Sequence, residues 1–202
     1  MNSIASYRSE TSWFRSDELF DSLYPEFIRK LSIRHWTPLR ITRTVIDFLT
    51  PKGNDRVLDV GSGIGKFCLA AAFYRPAALF DGIEQRSNLV QLAESVRVRL
   101  HIPNAVFRHG DFTKIDFSHY DHFYFYNSFY ENLFEEQRID DSIECSGELY
   151  NYYTRCLHMK LAEMPVGTRI VTYHSLEDEI PDSYYSVASK FNNRLKFWIK
   201  RK

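Results

Sequence analysis

The feature that most constrains this chain is a short, largely apolar run, Arg56–Val60, that passes directly into Gly61-Ser62-Gly63-Ile64-Gly65. Behind the glycines comes an alanine-rich stretch, Ile64–Tyr74, ended by Pro76. A strand, closely spaced glycines and then a helix make a turn in which the backbone bends sharply and a neighbour can approach without meeting a side chain. An ordinary β–α turn satisfies the first demand alone. Whether this one also cradles a ligand depends on what surrounds it.

What surrounds it alternates. Leu79–Glu84 reads as a strand, Ser87–Leu100 as an amphipathic helix capped by Ser87, and Ala105–His109 as a third strand closed by Gly110-Asp111. Asp121–Tyr126 is a densely aromatic fourth strand ending at Asn127, and a helix runs from about Gly147 to Glu163 before a fifth strand, Arg169–His174. Two β-prone runs, Tyr184–Val187 and Leu195–Ile199, flank Asn192-Asn193, a plausible hairpin turn. Upstream, Leu19, Phe20, Leu23, Phe27, Ile28 and Leu31 recur at helical spacing, predicting one helix from Asp17 to Ser32. A second begins with Thr37 as N-cap and Pro38 at the first helical position and runs to about Leu49. The expected fold is α/β: a doubly wound, mostly parallel sheet of seven strands, closed by an antiparallel C-terminal hairpin and covered by N-terminal helices. The expected organisation is an N-terminal extension and helix over 1–36, its serine-rich start loosely packed, and one domain over 37–202.

Composition removes several classes of function. Lysine plus arginine number 26 and so do aspartate plus glutamate, so no global field recruits nucleic acid or an anionic membrane. The polar N-terminus lacks the apolar core of a secretory signal, and no apolar run approaches membrane-spanning length, so a soluble, cytoplasmic protein is expected. Cys68, Cys145 and Cys156 form no C-x-x-C pair. Cys156 with His158 falls short of the paired ligands of a zinc site, and no metal is expected.

The loop's neighbours choose its ligand. Glu84 ends the next strand 19 residues after Gly65, where a carboxylate can accept both hydroxyls of a ribose. A dinucleotide fingerprint would place its third glycine one residue later, at the position held here by Lys66. Asp59, two residues before the first glycine, suits a cationic ligand such as a sulfonium amino acid better than a pyrophosphate. No Gly-Lys-Ser/Thr follows, which excludes a P-loop.

Val57-Leu58-Asp59-Val60-Gly61-Ser62-Gly63-Ile64-Gly65-Lys66-Phe67 resembles motif I of the class I, seven-β-strand methyltransferases that use S-adenosylmethionine. Phe80-Asp81-Gly82-Ile83-Glu84 is similar to that family's second strand with its ribose-binding acid, and His109-Gly110-Asp111-Phe112 to the segment beside the adenine. The resemblance implies S-adenosylmethionine as cofactor, held by Asp59, Gly61, Ser62, Gly63, Gly65, Glu84, Gln85, Asp111 and Phe112. It also brings Thr37 to the methionine end, with Arg40 and Arg43 near its carboxylate.

The methyl acceptor should lie at the end of the fourth strand, in Phe125-Tyr126-Asn127-Ser128-Phe129-Tyr130. An asparagine followed three residues later by an aromatic resembles the Asn-Pro-Pro-Tyr/Phe signature of amino- and amide-directed methyltransferases, and the segment is also similar to one in Dot1-like protein lysine methyltransferases. Here Asn127 would both adjoin the cofactor and orient an acceptor nitrogen, and Tyr130 would supply an aromatic wall. Ser128-Phe129 replaces the two prolines, so the rigid loop that receives a flipped base is not assured. Asn127 as a plain helix cap and Tyr130 as plain packing are the competing readings. The aromatic strand, Tyr124 included, is either pocket wall or core; His109, His119, His122 and His174 are scattered and pair with no obvious carboxylate. The acidic stretch from Glu131 to Glu148 reads as a solvated insertion, a lid or a surface for a basic peptide. The expected function is methyl transfer to a protein side-chain nitrogen, lysine favoured. The alternatives are a small-molecule N- or O-methyltransferase and a non-catalytic binder of S-adenosylmethionine.

Overall fold

The computed structural model describes residues 12–201; most of the serine-rich start and the last residue of the basic tail lie outside them. Six helices are labelled in chain order: α1 (Asp17–Asp21), α2 (Glu26–His35), α3 (Leu39–Leu49), α4 (Lys66–Tyr74), α5 (Ser87–Arg99) and α6 (Gly147–Ala162). Seven strands alternate with them: β1 (Arg56–Val60), β2 (Leu79–Glu84), β3 (Ala105–His109), β4 (His122–Tyr126), β5 (Arg169–Tyr173), β6 (Tyr184–Lys190) and β7 (Leu195–Lys200).

They form one sheet in the order β3-β2-β1-β4-β5-β7-β6. The first five strands are mutually parallel, and β7 enters antiparallel between β5 and β6. Strand order reverses at β1, which pairs with β2 on one side and β4 on the other. A crevice therefore opens beyond the carboxyl ends of β1 and β4, the switch point where α/β sheets bind ligands. β6 pairs only with β7, carries a register shift between Ser186 and Ala188, and is exposed beyond Tyr184.

The two faces are covered unequally. Strand alternation sends Val57, Phe80, Tyr124 and Val171 to a core shared with α3, α4 and α5, which contribute Val45, Phe67 and Leu89. Leu58, Phe123, Phe125 and Ile170 face the other way, toward α6 (Leu157, Leu161) and the short turns bearing Phe112 and Phe117. The N-terminal residues Phe14, Phe20, Leu23, Tyr24, Ile28 and Trp36 belong to the first of these cores, so they pack as part of it.

Three local expectations change. The predicted helix over Asp17–Ser32 is two helices, because Pro25 lacks the N–H that a continuous helix would need and instead opens α2, its carbonyl accepting from Ile28 and Arg29 N–H. Thr37 does not cap α3: Pro38 holds the cap position, and the buried Thr37 hydroxyl lies 3.1 Å from the Tyr124 phenol oxygen. Arg86, not Ser87, precedes α5 as its cap residue.

Candidate active site

The glycine loop is shaped by left-handed backbone. Gly61, Gly63 and Gly65 have φ of 78°, 54° and 76°, values that side-chain-bearing residues rarely adopt. At all three, space is also lacking. A Cβ on Gly63 would come within 2.5 Å of the Trp36 ring, and one on Gly61 would collide with Ser128. Gly65 faces Phe107 and Ala93 instead, so its lack of a side chain serves the packing of α4 and α5 against the sheet.

Beside the loop, both oxygens of Glu84 accept backbone bonds: Oε2 from Gly63 N–H at 3.0 Å and Oε1 from Arg86 N–H at 2.9 Å. Burial raises the Glu84 pKa, against the pull of Arg86 and of those two N–H donors. Asp59 is buried at 3% exposure, and its Oδ2 accepts from the Cys68 thiol at 3.6 Å. Desolvation pushes its pKa up to about 8, the Cys68 contact works against this, and Glu84 adds a further rise. Asp59 is thus a neutral acid at pH 7.

The crevice is lined by Gly61, Gly63, Glu84, Gln85, Phe112, Asn127 and Tyr130, all expected from the sequence. Asp111 is not on its wall; its carboxylate caps the turn at Phe112 by accepting from Thr113 N–H. Thr37, Asp59 and Ser62 line a small adjoining recess together with Lys66 and Phe67. Arg43 bonds the Tyr74 hydroxyl and the Phe14 carbonyl, and Arg40 lies over the Phe191 ring, so both guanidiniums are engaged elsewhere.

On the acceptor side, Asn127 has a left-handed φ of 49°, and its side-chain Oδ1 is buried with no hydrogen-bond partner among the described residues. Its backbone carbonyl, not its side chain, accepts from Tyr130 N–H. Ser128 Oγ donates to Val60 O at 2.5 Å, tying this loop to the end of β1. Tyr130 is half-buried, and burial, Tyr150, Glu179 and Asp178 push its phenol up to about 12. Of the aromatic strand, Tyr124 is core: it is fully buried and stacks on Phe67 at 3.8 Å. Phe125 packs against Phe129, which stacks in turn on Phe112.

Several residues at the crevice carry no local sequence signal. Trp36 and His35 come from the end of α2; burial, Arg86 and Arg34 lower the His35 pKa to about 4, so it is neutral at pH 7. Ile139, Ile143 and Glu144 bring the acidic stretch onto the wall. That stretch is therefore not a free insertion. Arg86, whose side chain is 2% exposed, holds it through Glu131 and Asp140. The pattern that would have found this pairing is carboxylates answering an arginine beside Glu84, and nothing in the spacing announces it.

A seven-stranded sheet of this order, a glycine-lined crevice at its switch point and a buried acid at the end of β2 define a nucleoside-binding methyltransferase architecture. Residues 51–198 match the family model described as a methyltransferase domain. The chain belongs to that family of methyltransferase domains. Its fold is similar to an RNA methyltransferase from Salinibacter ruber solved with S-adenosyl-L-homocysteine (TM-score 0.55, 19% identity, 82% of this chain and 94% of that one). It is also similar to TrmN from Thermus thermophilus (TM-score 0.57, 15% identity, 86% and 51%) and to the putative methyltransferase yhhF of Escherichia coli (TM-score 0.56, 18% identity, 80% and 85%). At these identities the likeness is one of fold. A release factor glutamine methyltransferase from Aliivibrio fischeri is 34% identical over 71 residues, 35% of this chain. The match spans only 25% of that relative's length. No described helix is long and apolar enough to cross a membrane, and no metal-binding cluster occurs among the described residues.

Proposed function

We propose that the protein methylates a side-chain nitrogen of a protein substrate, with lysine the favoured acceptor. The observation that carries this is the Asn127 Oδ1, a buried carbonyl oxygen without a partner at the end of β4, on the wall of the crevice. An unmet buried acceptor costs about 1–3 kcal/mol, and a nitrogen bearing N–H would satisfy it while being held for attack. Carboxylates at this end of the crevice, Glu144 on the wall and Asp178 beside Tyr130, favour an approaching cation. The A. fischeri relative's name carries glutamine, another side-chain nitrogen, which supports the nitrogen class over a carbon or sulfur acceptor.

The residues present fit the cofactor. In this reading Glu84 would hold the ribose hydroxyls, the backbone of Gly61, Ser62 and Gly63 would accommodate the nucleoside, Gln85 and Phe112 would hold the adenine, and Asp59 with Thr37 would hold the cationic methionine end. S-adenosylmethionine supplies a methyl group already activated on a sulfonium, so positioning can provide much of the acceleration. A lysine must arrive neutral, from a reference pKa of about 10.4, and the apolar wall of Phe112, Phe129 and Tyr153 disfavours its charged form. A small-molecule nitrogen acceptor is the second reading, favoured by the apolar Trp36, Ile139 and Ile143 on the crevice wall.

The test is transfer of radioactive methyl from S-adenosylmethionine into a cell extract. Label in a protein band, recovered as methyl-lysine after hydrolysis, is expected; label confined to the small-molecule fraction would sink the protein reading. Asn127→Ala should lower kcat about 10- to 100-fold, the cost of one lost hydrogen bond, with S-adenosylhomocysteine affinity within about threefold of wild type.

A further inference from the structure

Arg86 stands where two walls of the crevice meet. Its backbone N–H donates to Glu84 Oε1. Its guanidinium forks onto Glu131, at 3.1 and 2.6 Å, while Nε donates to Asp140 Oδ1 at 2.8 Å. Burial alone would lower the arginine's pKa, but the bonds to Asp140 and Glu131 raise it. The carboxylates are themselves engaged locally: Glu131 Oε2 accepts from Ile139 N–H, and Asp140 Oδ1 from Ser142 N–H. Farther along, Asn132 Oδ1 accepts from Ser146 N–H at 3.3 Å, fastening the loop to the residue that caps α6.

We infer that Arg86 is a positioning residue: it fastens residues 131–146 as a clasp over the crevice and couples the ribose-side carboxylate Glu84 to the loop bearing Asn127 and Tyr130. The planar fork matters because two separate carboxylates are held at fixed angles, which an ammonium cannot do. With the arginine gone, two partly buried carboxylates lose their cation, and the segment is left to the packing of Ile139 and to the Arg34 bond to the Glu136 carbonyl. Because the Arg86 backbone also steadies Glu84, a ligand that draws on Glu84 tightens the same strut. The coupling rests on the methyl-transfer reading of the crevice and not on the identity of the acceptor.

The test uses the full chain with S-adenosylhomocysteine as probe. Trypsin cleaves after Arg138, inside the clasp, and mass spectrometry reads that cut alone. Asp140→Asn and Arg86→Lys should speed it tenfold or more and abolish the protection that S-adenosylhomocysteine gives the wild type. Asp141→Asn, a carboxylate of the same segment that does not bond Arg86, should leave both unchanged. Asp140→Asn should also raise the acceptor KM at least fivefold while S-adenosylhomocysteine affinity stays within threefold, a split that a general loss of stability would not produce. Unchanged cleavage and protection in both variants would overturn the inference. The proteolysis arm needs no acceptor, so it stands or falls apart from the lysine reading.

Discussion

Two covers border this crevice, and each is fastened by a buried cation that the Rossmann-like core supplies next to the crevice wall. Lys66, directly after Gly65, reaches Asp17 at 2.8 Å and Asp21 at 2.6 Å on α1. Arg86, two residues after Glu84, reaches Glu131 and Asp140. Both side chains are 2% exposed, yet the covers differ. The N-terminal one brings its own apolar face: Phe20 and Ile28 are buried, and the Tyr24 hydroxyl donates to Ile64 O at 2.9 Å. The acidic one contributes only partly buried Ile139 and Ile143 to the wall and forms short turns instead of a helix. An ion cluster added to a packed core refines a docking; an ion cluster in place of a core has to hold the docking itself. The first cover should tolerate weakening of its charges, the second should not.

The harshest way to break the comparison is to drive the N-terminal cover off sterically. Gly63→Val combines a left-handed backbone with a side chain aimed at the Trp36 ring. S-adenosylhomocysteine binding by calorimetry should weaken at least about 100-fold, with a changed tryptophan emission, while the circular dichroism of the sheet persists. Full-strength binding would mean that Trp36 swings clear freely and that this cover is the looser one. A milder variant, Asp21→Asn, leaves Lys66 with Asp17 alone. It should cost about 1–3 kcal/mol, read as a lower Tm, with the tryptic cut at Arg138 unaffected. Acceleration of that cut would join the two covers into one cooperative unit.

Asp59 is the buried acid that neither cation answers, and it predicts the smallest effect. Its folded pKa of about 8 lies above the unfolded carboxylate value, so the native state holds the extra proton between roughly pH 4 and 8. Its contribution to stability is therefore full below that window and is lost as pH rises through it. A cationic ligand favours the ionised acid. Binding at pH 7 should release a proton, visible as a dependence of the calorimetric heat on buffer ionisation enthalpy, and Asp59→Asn should remove it. An unchanged buffer dependence in that variant would assign the released proton to another group.

The sheet was readable from local pattern because its causes are local. Glycines at left-handed positions, alternating strands and an acid at a strand end announce themselves within a few residues, and Gly61, Gly63 and Glu84 line the crevice as that pattern implies. The helix over 17–32 misled because Leu19, Phe20, Leu23, Phe27 and Ile28 keep one period across Pro25, where the hydrogen-bond ladder breaks although the apolar stripe does not. The clasp was invisible for a different reason. Arg86 and Glu131 are 45 residues apart, and an ion pair across that distance leaves no periodicity. Seven carboxylates between Glu131 and Glu148 look alike in sequence; only burial of one guanidinium distinguishes Glu131 and Asp140 from the rest.

The far end of the sheet has its own logic. β6 offers an unpaired row of backbone groups to solvent, a ready template for another chain. The slip between Ser186 and Ala188 interrupts that row partway along, so an incoming straight strand would find its partners out of step. What looks like an irregularity in pairing acts as a terminator: β6 is the outermost strand among the described residues, and the slip makes it a poor mould for another.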